Sequence, residues 1–399
     1  MTGTGAFLGG DTAALRRLNS AALLKHLHSA EAVTLTELSR ISRLSRPTCE
    51  EVMTELLSQG WAAEVFPDPE ARRTVGRPAR RFRFHSEAGH VLGVDIGAHK
   101  VLATVADLSG KVVGTSRQAV DPEMAATQRL HAAGEAIAVA LADAGKAARA
   151  RQRSTGQAGE VTPSGRGAVP LLSTVIGTTG IVSPDGTVVR SVALPGWDGM
   201  DLRAAAARLL PRPARTHVRV ENDITLAGIA EHWCGTASNV DDVVYVHAGR
   251  RMGAGILIGG RPHRGRHGMA GEIGMLDLLG WAEAYQSFPH HPGGDPVEHA
   301  FTAARAGDRE AAALVESFAA ALAKGVATMT LSVDPELVVV GGGLSRTGDQ
   351  LLEPVRRHVR LLCPLAPDIV ASRLGDENVA LGAVRLALDA VESDLFSTP

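Results

Sequence analysis

Two short stretches hold the residue types most able to do chemistry: Val220-Glu221-Asn222-Asp223 and, about fifty residues on, Ala270-Gly271-Glu272-Ile273-Gly274. Ionised carboxylates accept hydrogen bonds and a side-chain amide both donates and accepts, which suits a polyol whose hydroxyls also do both. The apolar run from His217 to Val220 leads into Glu-Asn-Asp and then into helix-forming residues. That order places Asp223 at the carboxyl end of a strand, where α/β folds open their clefts. A carboxylate there can act as general base toward a hydroxyl. Asn222 and Asp223 equally suit capping of a helix that starts near Ile224.

Other elements must hold these residues. Val91-Leu-Gly-Val-Asp95-Ile-Gly97 reads as a buried strand ending in a glycine turn, and Leu337 to Val340 followed by Gly341-Gly342-Gly343 repeats that pattern. Alternating strands and helices between and after them predict an α/β body. Residues 146–169, rich in Arg, Gly, Ser, Thr and Gln, read as a mobile loop or linker. No short internal repeat is visible.

The first 85 residues have a different character. Residues 12–28 predict an amphipathic helix with Leu15, Leu18, Ala22 and Leu23 on one face. Thr34-Leu-Thr-Glu37 is a capping-box pattern opening a short helix with Leu38 and Ile41. Arg43-Leu44-Ser45 reads as a turn, and Ser45 can cap a third helix with Pro47 in its first turn. There Cys49, Val52, Met53, Leu56 and Leu57 share a face, and Gly60 can end the helix. Strands from Trp61 to Val65 and from Arg80 to His85 complete the pattern of a winged helix-turn-helix. Such a third helix enters the major groove of double-stranded DNA. It would present Pro47, Glu50, Glu51, Thr54 and Ser58, with Arg46 and Thr48 near its start. Arginine and hydroxyl side chains reach phosphates or base edges. Glu50 and Glu51 either accept from cytosine N4 or merely favour the positive end of the helix dipole. Between Arg72 and Arg83 lie six arginines and no acid; of these Arg77, Arg80 and Arg81 are the candidates for phosphate or minor-groove contact.

Composition sets bounds. At 399 residues the chain is long enough for two or three domains with filled cores. Net charge is −2, yet residues 1–85 hold 12 Lys and Arg against 9 Asp and Glu, and the remainder 29 against 34. A basic head on a mildly acidic body suits a head that meets nucleic acid. Cys49, Cys234 and Cys363 have no metal-type or disulfide-type spacing and read as reduced, mostly buried thiols of a cytoplasmic protein. Read as a simple run, no apolar stretch reaches the ~18 residues of a membrane span, and Met-Thr-Gly-Thr-Gly lacks a signal-peptide pattern.

Taken in order, these motifs resemble the ROK family (repressors, uncharacterised frames and sugar kinases), and in particular its transcriptional regulators. Leu44-Ser45-Arg46-Pro47-Thr48 and Gly76-Arg77-Pro78 look like the family's DNA-binding head. Asp95-Ile-Gly97, Leu194-Pro195-Gly196-Trp197, Glu221-Asn222-Asp223, Gly271-Glu272-Ile273-Gly274 and Gly341-Gly342-Gly343 look like its body. The resemblance covers nearly the whole chain. It implies an α/β, actin-like (ribonuclease-H-like) two-lobed sugar-kinase fold, residues 86–399, preceded by an α+β winged helix-turn-helix domain, residues 1–85. It also implies sugar contacts from Asn222, Asp223 and Glu272, the Asp being the catalytic base in the family's kinases. Gly280-Trp281-Ala282-Glu283-Ala284-Tyr285 looks like a further sugar-binding segment, with Glu283 as the candidate.

Three departures bear on function. The family's metal site uses a His straight after Gly-Glu-Ile-Gly and a short three-cysteine loop; here Met275 and the segment Leu276 to Leu279 stand instead, so no zinc and no other cofactor is expected. His290-His291 reads as a polar turn between prolines. The phosphate loop expected as Asp-x-Gly-Gly-Thr is Asp95-Ile-Gly97-Ala98-His99-Lys100, and Gly-Thr-Gly-Ile-Gly is Gly249-Arg250-Arg251-Met252-Gly253. Small residues let backbone amides approach phosphate, and two arginines obstruct that approach. The expectation is therefore a DNA-binding regulator, a repressor, with no catalytic residues. It would be a homodimer or homotetramer on a roughly palindromic operator, with a sugar or sugar phosphate as effector and no membrane partner. The alternatives are an active hexose kinase with an added head, or a regulator driven by a protein partner.

Overall fold

A computed structural model of the chain describes residues 12–65, 79–154, 169–211, 217–289 and 296–396. The head comprises α1 (Thr12–His28), β1 (Val33–Thr34), α2 (Leu35–Ser42), α3 (Arg46–Ser58), β2 (Ala62–Val65) and β3 (Arg81–Phe84). The three strands form one antiparallel sheet in the order β1-β3-β2. Local chemistry sets the helix starts. Thr34 and Glu37 form a reciprocal capping box on α2, and Ser45 accepts from the Thr48 amide at the start of α3, with Pro47 in the first turn. Arg43 takes a left-handed conformation at φ 58° and turns the chain between the two helices. Cys49, Val52, Met53 and Leu56 of α3 meet Leu38, Phe82 and Phe84 in the head's core. The inward face of α1 matches the sequence expectation at Leu23 but not at Leu15 and Leu18. Leu23, Leu24 and Leu27 are buried, whereas Leu15 is exposed and Leu18 largely so. Ile41 of α2 is exposed as well. A 3.6-residue period fits more than one stripe when apolar residues crowd a helix, and packing selects the stripe.

The first lobe follows with β4 (His90–Ile96), β5 (Lys100–Asp107), β6 (Val112–Ala119), α4 (Ala126–Ser154) and β7 (Leu171–Thr178). After it come β8 (Ile181–Val182), β9 (Thr187–Arg190), β10 (Met200–Asp201), α5 (Leu202–Ala207), β11 (His217–Asn222) and α6 (Asp223–Cys234). Its main sheet runs β11-β7-β4-β5-β6. Helix α4 extends through residue 154, so the first part of the expected mobile loop is helical; residues 155–168 lie outside the described residues.

The second lobe contains β12 (Val243–Ala248), β13 (Met252–Ile258), β14 (Arg261–Pro262), α7 (Trp281–Gln286), α8 (Pro296–Arg305) and α9 (Arg309–Val333). It continues with β15 (Leu337–Gly341), α10 (Asp349–Leu362) and β16 (Asp368–Ala371), in a sheet ordered β14-β13-β12-β15-β16. Each lobe thus has an antiparallel three-strand meander whose first strand pairs in parallel with a fourth, and the fourth with a fifth. Helix α9 is long and apolar enough to cross a membrane by length and composition. Its apolar face is core, since Phe318, Leu322 and Val326 are fully buried in the second lobe.

The last helix, α11 (Asn378–Phe396), returns to the first lobe and packs with α6 over its sheet. A Cβ at Gly382 would stand 1.9 Å from the Leu226 carbonyl oxygen, so glycine alone permits this close crossing. The outer side of α11 meets the head. One hydrophobic cluster joins Leu23, Leu27 and Phe84 to Leu108, Val384, Leu388 and Val391. His28 lies at this seam, 3.3 Å from the Leu108 carbonyl and with its ring 5.1 Å from Phe84 and 5.4 Å from Phe396.

Candidate functional site

The cleft residues sit where the strands end. Strand β11 stops at Asn222 and α6 begins at Asp223, because the Asn222 side chain accepts from the Thr225 amide at 2.9 Å and caps the helix. The capping role is therefore real, and it uses only the side-chain oxygen, leaving the side-chain nitrogen to other partners. That nitrogen donates to the Gly180 carbonyl at 3.0 Å and reaches Glu272 Oε1 at 3.5 Å. Glu272 stands on the second lobe, just before the 3-10 turn Ile273–Met275. The two stretches singled out in the sequence do converge, one from each lobe.

Asp223 experiences this enclosure most strongly. Burial, reinforced by the charges of Asp95 and Glu272, pushes its carboxyl up to about 8. Burial also raises Glu272 and Asp95. At neutral pH Asp223 is then a protonated acid that can donate a hydrogen bond, not a ready proton acceptor. Glu283 is exposed on α7, and among the described residues no hydrogen bond or ion pair joins it to Asn222, Asp223 or Glu272. Trp281, on the same helix, packs its ring 4.7 Å from Phe318.

The loops after Asp95 and Ala248 are held by the protein's own groups. Lys100 Nζ lies 2.8 Å from Asp95 Oδ2, with the lysine side chain 18% and the aspartate 5% exposed. The same ammonium donates to the Asp376 carbonyl across the lobe. Arg129, fully buried on α4, donates to the Gly97 and Ala98 carbonyls at 2.6 and 3.2 Å and so turns that loop's carbonyls inward. In the second loop Arg251 donates to the Val192 carbonyl at 2.6 Å and ties the two lobes together. Desolvation pushes His247, at the end of β12, down to about 4, so its ring is uncharged at neutral pH. That ring lies against the turns at Gly249 and Gly342, and a Cβ at Gly342, where φ is 90°, would stand 2.5 Å from the Ala248 carbonyl oxygen. Trp197 is a structural anchor, fully buried and donating to Thr178 Oγ1 at 2.8 Å. The contacts of Lys100, Arg129 and His247 are not legible in the sequence. A lone basic residue on a strand or in an alanine-rich helix gives no periodic signal, and only the fold brings it to the loop.

In the head, α3 exposes Arg46, Pro47, Glu50, Glu51 and Thr54. Arg46 Nε is 3.4 Å from Glu50 Oε1, and Glu51 pairs with Arg16. Both glutamates thus have intramolecular partners. The Thr48 and Ser45 hydroxyls are 2.7 Å apart, and the Thr54 hydroxyl donates to the Glu50 carbonyl at 2.8 Å. Arg80 forms a forked pair with Glu64 at 2.6 and 2.8 Å, and Arg81 donates to the Ala32 carbonyl at 2.7 Å. Arg77 and His290-His291 lie outside the described residues. Among the described residues no group of three or more His, Cys, Asp or Glu is placed to hold a metal ion. Cys49 and Cys363 are buried and Cys234 is exposed.

Two lobes of one repeated topology, closing on an acidic cleft and preceded by a winged helix-turn-helix, define a sugar-kinase-like body with an added head. The family model described as ROK matches residues 91–294 and 282–390, and the chain belongs to the ROK family. It is 23% identical over 428 aligned residues to a xylose repressor of Caldicellulosiruptor bescii, an alignment covering 98% of this chain and 99% of that protein. Among solved structures, a ROK family transcriptional regulator homologous to the Escherichia coli Mlc protein superposes with a TM-score of 0.67. It shares 18% identity and covers 96% of this chain and 98% of that one. A ROK family glucokinase from Streptomyces griseus, solved with glucose and AMPPNP, gives a TM-score of 0.56 at 25% identity. It covers 75% of this chain and 100% of its own.

Proposed function

We propose that the protein is a sugar-responsive, DNA-binding transcriptional repressor whose kinase-like cleft senses a sugar without phosphorylating it. The observation that carries this reading is the continuous hydrophobic cluster from α1 and β3 of the head to α11 of the first lobe. A head seated this way moves with that lobe. Closure of the second lobe on a ligand then re-aims the head, provided the second lobe contributes to a dimer. Coupling of this kind is typically worth about 1–3 kcal/mol. The head is residues 1–85 and the effector body residues 86–399, acting in the cytoplasm as a dimer or tetramer. Paired recognition helices call for a roughly palindromic operator. Arg46, Pro47, Thr48, Glu50, Glu51, Thr54, Arg77, Arg80 and Arg81 form the DNA-facing set. In that set Arg46 and Arg80 are held by the Glu50 and Glu64 carboxylates, which DNA phosphates would have to displace.

Asn222, Asp223 and Glu272 hold sugar hydroxyls, with Glu283 recruited on closure. The full-length likeness to a xylose repressor makes xylose the first sugar to try. Turnover is opposed by the Lys100 ammonium on Asp95, by Arg251 in the second loop, and by the proton on Asp223. No zinc or other cofactor is required. The test is fluorescence anisotropy on DNA from upstream of the protein's own gene, with and without a panel of pentoses and hexoses. Specific binding released by one sugar supports the reading. Sugar-independent binding together with phosphorylation of a sugar from ATP would replace it with a bifunctional kinase.

A further inference from the structure

Behind the sugar-facing residues lies a second crevice, of about 310 Å³, between the β8–β9 turn, α5, β11 and the loop after β14. Its polar lining includes Asp185, Arg203, Arg219, Glu221 and Arg264. On its floor the Glu221 carboxylate is 6% exposed and shared by two guanidinium groups. Arg219 Nη2 lies 3.1 Å from Oε2, and Arg264 Nε donates to the same oxygen. Oε1 accepts from the Asn222 backbone N–H at 3.2 Å. Arg264 Nη1 donates to the Pro262 carbonyl at 3.2 Å, while its Nη2 is buried and has no partner among the described residues. At the rim Arg203 is exposed, and Asp185 is already engaged by the Ser183 hydroxyl and the Thr187 amide.

Three guanidinium groups thus face two carboxylates, and a buried donor lacks an acceptor. A donor without an acceptor beside three guanidinium groups suits an oxyanion. Arginine forks match the tetrahedral oxygens of phosphate and hold them by charge-assisted hydrogen bonds. We propose that this crevice binds a compact phosphate group, either inorganic or borne by a small sugar. The site is distinct from the hydroxyl-binding residues but adjoins them on both lobes. Glu221 precedes Asn222, and the Arg264–Gly268 loop runs into Gly271-Glu272. An occupant would clamp the two segments that also carry the sugar contacts. Burial, with repulsion from Arg264 added, lowers the Arg219 guanidinium, and a bound anion would offset that repulsion.

The experiment is isothermal titration calorimetry on the full chain at constant ionic strength, with inorganic phosphate, a hexose 6-phosphate and citrate as separate probes. Saturable binding of at least one phosphate probe is expected. It should weaken at least tenfold in Arg203→Gln and in Arg219→Gln, and stay unchanged in Arg208→Gln, which removes the same charge from the exposed end of α5. Arg203 is exposed, so its variant keeps the fold even if Arg219→Gln does not. Binding of inorganic phosphate marks the free ion as sufficient, and binding of the ester alone assigns the phosphate to a sugar. Absence of saturable binding by both phosphate probes, preference for citrate over both, or equal weakening in Arg208→Gln would overturn the proposal. The measurement needs neither DNA nor an inducing sugar, so its failure is separate from failure of the repressor reading.

Discussion

The proton on Asp223 gives a sharp test of the cleft. Its carboxyl is held at about 8 in the folded protein, against 3.8 ordinarily. Between about pH 4 and pH 8 the native state therefore keeps a proton that the unfolded chain has lost. Stability falls as pH rises through that window and levels off above it, by about 1.4 kcal/mol per pH unit for a fully shifted group. From pH 5 to pH 8 the full effect would be about 4 kcal/mol. Asp223 keeps some solvent contact, and screening reduces the expected figure to about 2 kcal/mol. Asp223→Asn has the shape of the protonated acid and cannot ionise. Its stability relative to wild type, measured by urea unfolding at each pH, should rise by about 2 kcal/mol between pH 5 and pH 8. All other titrating groups are common to both proteins and cancel. The ¹³Cγ resonance of Asp223 in labelled native protein should move near pH 8. A stability difference constant within about 0.5 kcal/mol across that range, with a resonance that titrates near pH 4, would refute the enclosed acidic cleft.

Other outcomes follow from the same geometry. Lys100→Met strips a buried carboxylate of its counter-ion and should cost about 3 kcal/mol in denaturant unfolding; adding Asp95→Asn should recover most of that, and a cost under about 0.5 kcal/mol would place the pair in solvent. Glu272→Gln should leave operator affinity intact and raise the sugar concentration for half-release by roughly 10- to 150-fold, the worth of one charge-assisted hydrogen bond; an unchanged midpoint would remove Glu272 from the effector site. Arg46→Ala and Arg77→Ala should each weaken operator binding and flatten the log K against log salt slope by about 0.9; equal slopes in variant and wild type would take both off the DNA.

Much of the head was legible in the chain because its signals are local. Thr34 with Glu37, Ser45 with Pro47, and the apolar positions of α3 each act within one or two helical turns, and each appears in the structure as read. The same holds for the end of β11 and the cap at Asn222. What the local pattern could not choose was the buried stripe of α1. Leu15 and Leu23 fall on one expected face and are equally apolar, yet only Leu23 packs in the cluster that includes α11, more than three hundred residues away in the chain. Helix α4 ran on to residue 154 for a related reason, since alanine and arginine are good helix formers even where composition suggests a loop.

The sequence by itself determined that acidic and amide residues cluster at Glu221-Asn222-Asp223 and again at Glu272, that Arg250 and Arg251 stand in a glycine-flanked turn, and that capped helices precede an α/β body. Each of those follows from residue type within a short window. The tertiary structure alone decided the rest. The two lobes share one strand order although their sequences show no repeat, because topology is preserved by burial pattern and not by residue identity. Only folding brings Glu272 from one lobe to Asn222 on the other, sets Arg264 on Glu221, and ties Arg251 to the Val192 carbonyl. Charges separated by tens to hundreds of residues have no spacing to read. Their protonation and their partners depend on the distance and solvent access that packing creates.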